Sequence, residues 1–143
     1  MPAELDGGAT PPFVDALVQV SFAVQDVLTR AAAEHDLSVT QLRLLGILRD
    51  RTPAMAAIAQ HLGLDPSSVS GLVDRAERRG LVVRSTATYD ARVTIVSVTP
   101  IGHDLSRQLA MAVMARLEEL VGHATLAERA LIVRLAESIP MSR

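Results

Sequence analysis

The segment 65–99 constrains the fold most strongly, because a capped amphipathic helix runs directly into a two-stranded hairpin. Asp65 and Pro66 stand where an N-cap and a first helical residue are favoured, and Gly80 stands where a left-handed residue ends a helix. One apolar stripe at helical spacing lies between them; it consists of Val69, Leu72, Val73 and Ala76. Two runs rich in β-branched residues follow, on either side of a polar loop; they are residues 81–84 and 93–98. The segment therefore predicts a helix followed by a β-wing.

Another short helix is predicted immediately upstream, over residues 54–62, with Gly63 after it. Its apolar residues recur at helical spacing; they are Met55, Ile58, Ala59 and Leu62. Two helices joined by a short turn with glycine form a helix-turn-helix, whose second helix enters the major groove of DNA. Any pair of antiparallel helices shows this spacing. The attached hairpin, with an arginine near its tip, is what favours DNA binding.

The run LVDRAERRGLVVR, followed by DARVTIVSVTPIG, closely resembles the signature of MarR-type (multiple antibiotic resistance regulator) winged helix-turn-helix repressors. The residues that match in register are Asp74, Arg75, Glu77, Gly80, Leu81, Val82, Asp90, Arg92, Thr99 and Gly102. The resemblance covers nearly the whole chain, because the helices on both sides also fit. Two positions depart from the pattern: Ala76 replaces a usual leucine, and Ala91 replaces the first arginine of the wing pair.

Long helices are predicted on both sides of this segment, so the expected fold is mainly α with a small β-hairpin wing. Two of these helices precede the segment: one runs from about Phe13 to Glu34, and one runs from the capping box of Ser38 and Gln41 to about Arg49. Two follow it: one runs from Thr99-Pro100 to the break at Gly122, and one begins at the capping box of Thr125 and Glu128. A minor strand is expected to pair near Thr52. We expect one domain over residues 1–143, divided into a winged helix-turn-helix part at 38–98 and dimerisation helices at 11–36 and 99–140.

The predicted helices outside the head carry more apolar surface than so small a head can cover. Such a patch usually marks an interface; its members are Phe13, Phe22, Val113, Met114, Leu117 and Leu131. The resemblance implies that the first and last two helices interlock into a two-fold homodimer, whose two recognition helices would enter successive major grooves about 10 bp apart. Packing of these helices within their own domain is the alternative.

Double-stranded DNA is the expected partner, and the candidate contacts lie on the recognition helix and the wing. Ser67, Ser68, Ser70 and Gly71 are expected to contact base edges and phosphates, with helix capping and solubility as the plainer alternative. Arg75, Arg78 and Arg84 are candidates for phosphate binding, although an ion pair of Asp74 with Arg78 is a competing structural use. Arg92 is expected to enter a narrow minor groove, oriented by Asp90, with a solvated loop charge as the alternative.

The charge distribution agrees with a DNA-binding head on an acidic body. The formal net charge of the chain is −2. Between Arg43 and Arg92, however, eight arginines face five acidic residues, a net of +3. A basic segment between acidic flanks is the polarity that a DNA-binding head on an acidic body would show.

Several other classes of protein are not expected. The chain has no cysteine, which excludes disulfides, thiolate metal sites and thiol redox sensing. It has no run of about 18 apolar residues, and its amino terminus lacks the basic and apolar regions of a signal peptide, so we expect a cytoplasmic protein without membrane contact. Scattered histidines and the lack of a nucleophile elbow or phosphate loop predict no metal, no cofactor and no enzyme.

The resemblance further implies a repressor released by a small aromatic or phenolic anion bound between the dimer helices and the head. A second hypothesis is a dimeric protein-interaction module without DNA affinity. The negative net charge and the missing wing arginine at position 91 favour that alternative.

Overall fold

A computed structural model describes residues 11–140 and shows six helices and one antiparallel hairpin within them. The elements are α1 Pro12–Ala33, α2 Val39–Leu48, α3 Met55–Leu62, α4 Pro66–Arg78, β1 Val82–Thr86, β2 Thr94–Val98, α5 Pro100–Val121 and α6 Leu126–Ser138. This order confirms the expected fold class. The prediction about a signal peptide concerns the first residues of the chain, and residues 1–10 lie outside those described.

The predicted helix boundaries are confirmed at their caps. Capping boxes begin α2 at Ser38 and α6 at Thr125, each with its partner three residues later. Gly80 follows α4 with φ of +71°, a left-handed conformation that residues with a Cβ rarely adopt. The hairpin is displaced slightly from its predicted position, because strand β1 begins at Val82 and extends to Thr86.

The hairpin is attached to the helical part through strand β2 and at its base. Ile95 forms an isolated antiparallel bridge with Ala54, and the amide of Val96 donates to the carbonyl of Pro53 at 3.0 Å. The minor strand pairing expected near Thr52 is therefore present two residues further on. At the base, a Cβ at Gly102 would lie 2.1 Å from the carbonyl oxygen of Leu81, so only glycine permits α5 to pack this closely.

One hydrophobic core fills the winged head. Its members come from α2, α3, α4, both strands and single residues of the flanking helices; they include Leu44, Leu45, Leu48, Ile58, Leu62, Val69, Leu72, Val73, Ala76, Leu81, Val82, Val96 and Leu109. The whole predicted stripe of α4 is buried, including Ala76 at 2% exposure. Burying α4 in this way leaves its opposite face toward solvent.

The long helices are far less buried than the head. Helical spacing in α5 predicts an inward apolar face that includes Ile101, Leu120 and Val121, and this prediction is wrong for the single chain because all three are exposed. Ile101 faces solvent next to Gly102, which packs against Leu81. Within residues 11–140, α6 contributes no buried residue at all.

Candidate nucleic-acid interface

The recognition helix α4 begins with a carboxylate held by three donors. The Asp65 Oδ1 accepts the Ser68 amide at 2.9 Å and the Ser67 hydroxyl at 2.7 Å, while Oδ2 accepts the Ser68 hydroxyl at 2.7 Å. These hydrogen bonds, those of the two hydroxyls first, hold the pKa of the Asp65 carboxyl well below its usual range. Both serines are exposed at the helix start, where recognition helices contact base edges. The capping role, which is the plainer alternative to base contact, is therefore present, and both serines remain exposed.

The remaining candidates on α4 lie along its exposed side. Ser70 and Gly71 are half-buried, and Arg75 and Arg78 are exposed. A Cβ added at Gly71 would lie 3.3 Å from the Arg75 guanidinium, so this side chain folds back across the helix surface at the glycine. The structure thus brings small residues and cations to one surface, as expected for a phosphate-binding face.

Arg84, one of the candidates for phosphate binding, lies among acidic side chains of α4. Its guanidinium lies between Asp74 at 2.8 Å and Glu77 at 3.2 Å, and it donates to the Ser70 carbonyl at 3.3 Å. The Arg84 side chain is only 24% exposed. The alternative use of Arg78, an ion pair with Asp74 at helical spacing, is not the one observed, because Asp74 pairs with Arg84 instead. Arg84 therefore ties the wing to the recognition helix.

The wing tip presents Arg92 in a fixed direction. Its Nε and Nη2 donate to the two carboxylate oxygens of Asp90, each at 3.1 Å, and its amide donates to Oδ1 at 3.0 Å. The paired guanidinium lowers the pKa of Asp90, and the carboxylate raises the pKa of Arg92. The Arg92 side chain is 90% exposed, so one edge is held while the rest remains free to bind. Asp90 is placed to orient Arg92 as the sequence predicted.

Two features near the head, the contacts of Arg79 and an apolar cavity, are not predicted from the sequence. Arg79 donates to the carbonyls of His35 and Asp36 at 2.9 and 2.8 Å, which closes the end of α1 onto α4. An apolar cavity of about 150 Å³ lies between α1, α2 and α5, with Arg49 and Ser106 among its lining residues. Within residues 11–140 the Ser106 hydroxyl is buried without a hydrogen-bond partner. No local motif marks this cavity, because its lining comes from three helices distant in sequence.

Comparisons with known proteins find similarity to transcriptional regulators. A model described as the MarR family matches residues 35–93, from the end of α1 to the wing. The chain is 35% identical over 65 residues to the uncharacterized HTH-type transcriptional regulator YfiV of Bacillus subtilis, covering 45% of this chain and 41% of that protein. The chain thus spans about half or less of the length of the curated relatives it matches.

Two solved structures show that the likeness in fold extends well beyond the matched segment. CouR from Rhodococcus jostii, bound to p-coumaroyl-CoA, has a TM-score of 0.76 and 22% identity, covering 93% of this chain and 92% of that one. A mutant of MarR from E. coli complexed with operator DNA has a TM-score of 0.74 and 22% identity, covering 90% of this chain and 94% of that one. None of the helices in residues 11–140 has the length and apolar character needed to cross a membrane. The winged head of this chain is thus similar to the MarR family over residues 35–93, and the described chain shares its fold with MarR from E. coli.

Proposed function

We propose that this protein is a homodimeric transcriptional repressor that binds a pseudo-palindromic operator and releases it when a small aromatic anion binds. The observation that carries the proposal is the pairing of an exposed recognition helix with a wing whose Arg92 is held in place by Asp90. Both elements present small residues or cations to the outside, which is the chemistry of phosphate and groove contact. The operator complex of the E. coli MarR mutant, a protein of the same fold, supports DNA as the partner.

We propose that a second copy of the chain buries the exposed apolar side chains of α1, α5 and α6 in a dimer interface. They are too numerous for a stable monomer surface; they include Phe13, Leu17, Phe22, Met111, Met114, Leu126, Leu131, Ile132 and Ile139. Because the two copies are identical, a two-fold interface would place two recognition helices about one DNA turn apart. Occupancy of a promoter by such a dimer would block transcription.

The cavity between α1, α2 and α5 is the proposed effector site. Its walls are largely apolar, with lining residues that include Leu28, Leu45 and Val113. Arg49 supplies a cation and Ser106 a buried hydroxyl that lacks a partner in the described part of the chain. Apolar walls with a few polar groups suit a small aromatic carboxylate or phenolate. The CouR structure with p-coumaroyl-CoA supports an aromatic effector.

The proposal is tested by electrophoretic mobility shift on DNA from upstream of the protein's own gene, at two salt concentrations. We expect a specific shift whose affinity falls steeply with salt, because phosphate contacts release counterions. Added benzoate or salicylate should release the DNA from the wild type and release it less well from an Arg49→Ala variant. A stable dimer that shifts none of the candidate promoters would contradict the repressor and favour a protein-interaction module.

A further inference from the structure

We propose that Asp65 converts Ser67 and Ser68 into hydrogen-bond acceptors, so that both serines recognise the amino groups of adenine or cytosine in the operator. This inference rests on the proposed function, because it concerns how the recognition helix would read DNA. It goes further by assigning a chemical preference to two positions of the operator. Asp65 acts here as a positioning residue that need not touch the DNA.

The hydrogen bonds at the start of α4 set the direction of both hydroxyl protons. Ser67 Oγ and Ser68 Oγ each lie 2.7 Å from a different oxygen of the Asp65 carboxylate. An ionised carboxylate only accepts hydrogen bonds, so the serines must be the donors. A serine hydroxyl has one proton and two lone pairs. With its proton directed at Asp65, each serine presents only lone pairs to an approaching base.

The carboxylate remains ionised under conditions of DNA binding. Its three donors keep the pKa of the Asp65 carboxyl far below neutral pH. A proton on the carboxyl would reverse one of the two bonds and free a serine to donate, but such a proton is absent near neutrality. The direction of the hydrogen bonds is therefore a constant property of the recognition helix.

Acceptor-only serines distinguish bases that ordinary serines do not. In the major groove adenine and cytosine present amino donors, whereas guanine and thymine present carbonyl acceptors. A free serine pairs with either kind. In the major groove each base pair presents one amino group, so an acceptor-only serine distinguishes which strand carries it. Ser67 and Ser68 should thus favour adenine or cytosine over guanine or thymine on the strand they contact.

Asp65→Asn tests the mechanism with an internal control. Oδ1 must remain an acceptor, because the Ser68 amide and the Ser67 hydroxyl both donate to it. The new amide nitrogen therefore replaces Oδ2 and donates to Ser68 Oγ, which frees the Ser68 proton. Ser67 keeps its original direction. Asparagine caps helices about as well as aspartate, so the fold should be retained, as thermal unfolding can verify.

The experiment selects binding sites for the full chain from a randomised duplex pool and sequences the enriched DNA. For the wild type we expect amino over keto bases by about three- to tenfold at two positions of each half-site, the effect of one hydrogen bond apiece. Asp65→Asn should reduce this ratio below about twofold at one position and leave the other unchanged. Ser68→Ala should lose the preference at that same position, whereas Ser67→Ala should lose it only at the other position, because the two hydroxyls donate to different oxygens of Asp65.

Two results would overturn the inference while leaving the repressor intact. One is an enriched operator whose amino and keto ratios are identical for the wild type and Asp65→Asn. The other is a position that depends on Ser68 and prefers guanine or thymine in the wild type. If the wild type enriches no sequence, the proposed function itself fails and this inference falls with it.

Discussion

Arg92 combines near-complete exposure with a fixed direction. A free arginine on a loop loses rotamer entropy when it enters a groove. The two hydrogen bonds to Asp90 already restrict Arg92, so less entropy remains to be lost on binding. Because Ala91 stands where the family pattern has a second arginine, Arg92 is the only arginine of that pair available for a groove contact.

Arg92→Ala should weaken operator binding by about 1 to 3 kcal/mol, which a salt-controlled mobility shift would measure. Asp90→Ala should cost less, because the cation remains but loses its orientation. Arg107→Ala is the matched control, since Arg107 is 78% exposed and bound to the nearby Asp104, but lies on α5. Equal affinity for Arg92→Ala and the wild type would show that the wing makes no groove contact.

At the scale of elements, Arg84 fastens strand β1 to the recognition helix. It joins two carboxylates of α4 and the Ser70 carbonyl, and its own amide donates to Glu77 at 3.0 Å. The wing therefore keeps a set distance from α4. This role differs from the phosphate contact expected for Arg84 and separates it from Arg78 on the same helix surface.

Arg84→Met should lower the free energy of unfolding by about 1 kcal/mol, since partly exposed ion pairs and one hydrogen bond are lost. Arg78→Met is the matched variant, because Arg78 is exposed and an exposed substitution changes stability by about 0.5 kcal/mol or less. Arg78→Met should instead reduce the salt slope of operator binding by about one. Chemical unfolding and salt titration separate the two roles, and the opposite pattern would reverse these assignments.

Local signals were predictable from the sequence, and contacts between elements were not. The capping boxes of Ser38 and Thr125 need partners only three residues away, so their pattern is visible in the chain. Strand β1 extends to Thr86 because Thr86 pairs with Thr94 across the sheet. The apolar pattern of the sequence does not predict this pairing, because both residues are polar. The ion pair of Asp74 with Arg84 likewise could not be predicted from local spacing, because it forms only when the turn at Gly80 brings Arg84 back beside α4.

At the scale of the whole molecule, α6 is a helix that buries none of its residues in the single chain. It is attached to α5 through Arg129, whose guanidinium binds both oxygens of Glu118 at 2.9 and 3.0 Å. Its apolar residues remain exposed, with Leu131 and Ile132 each at 58%. A helix of this kind gains most of its stability from packing against another surface.

Leu131→Asp should shift the protein from dimer toward monomer by at least about tenfold in dissociation constant, because it places a charge in an apolar interface. Val83→Asp is the control, as Val83 is an apolar residue of the wing with 47% exposure. Analytical ultracentrifugation at several concentrations measures both. A wild-type protein that sediments as a monomer at every concentration would refute the two-fold arrangement.

Because α5 packs so closely at Gly102, a tilt of this helix at one end displaces its other end. Thr99 donates its amide to Leu81 and its hydroxyl to Gly80, so the first turn of α5 is fixed to the end of the recognition helix. The 22 residues of α5 span about 33 Å at 1.5 Å per residue. A tilt of about 5° at one end then moves the other by about 3 Å, close to the rise of one base pair. In the proposed dimer, a change too small to disturb the packing of either copy would therefore be enough to shift the spacing of the two recognition helices away from one DNA turn.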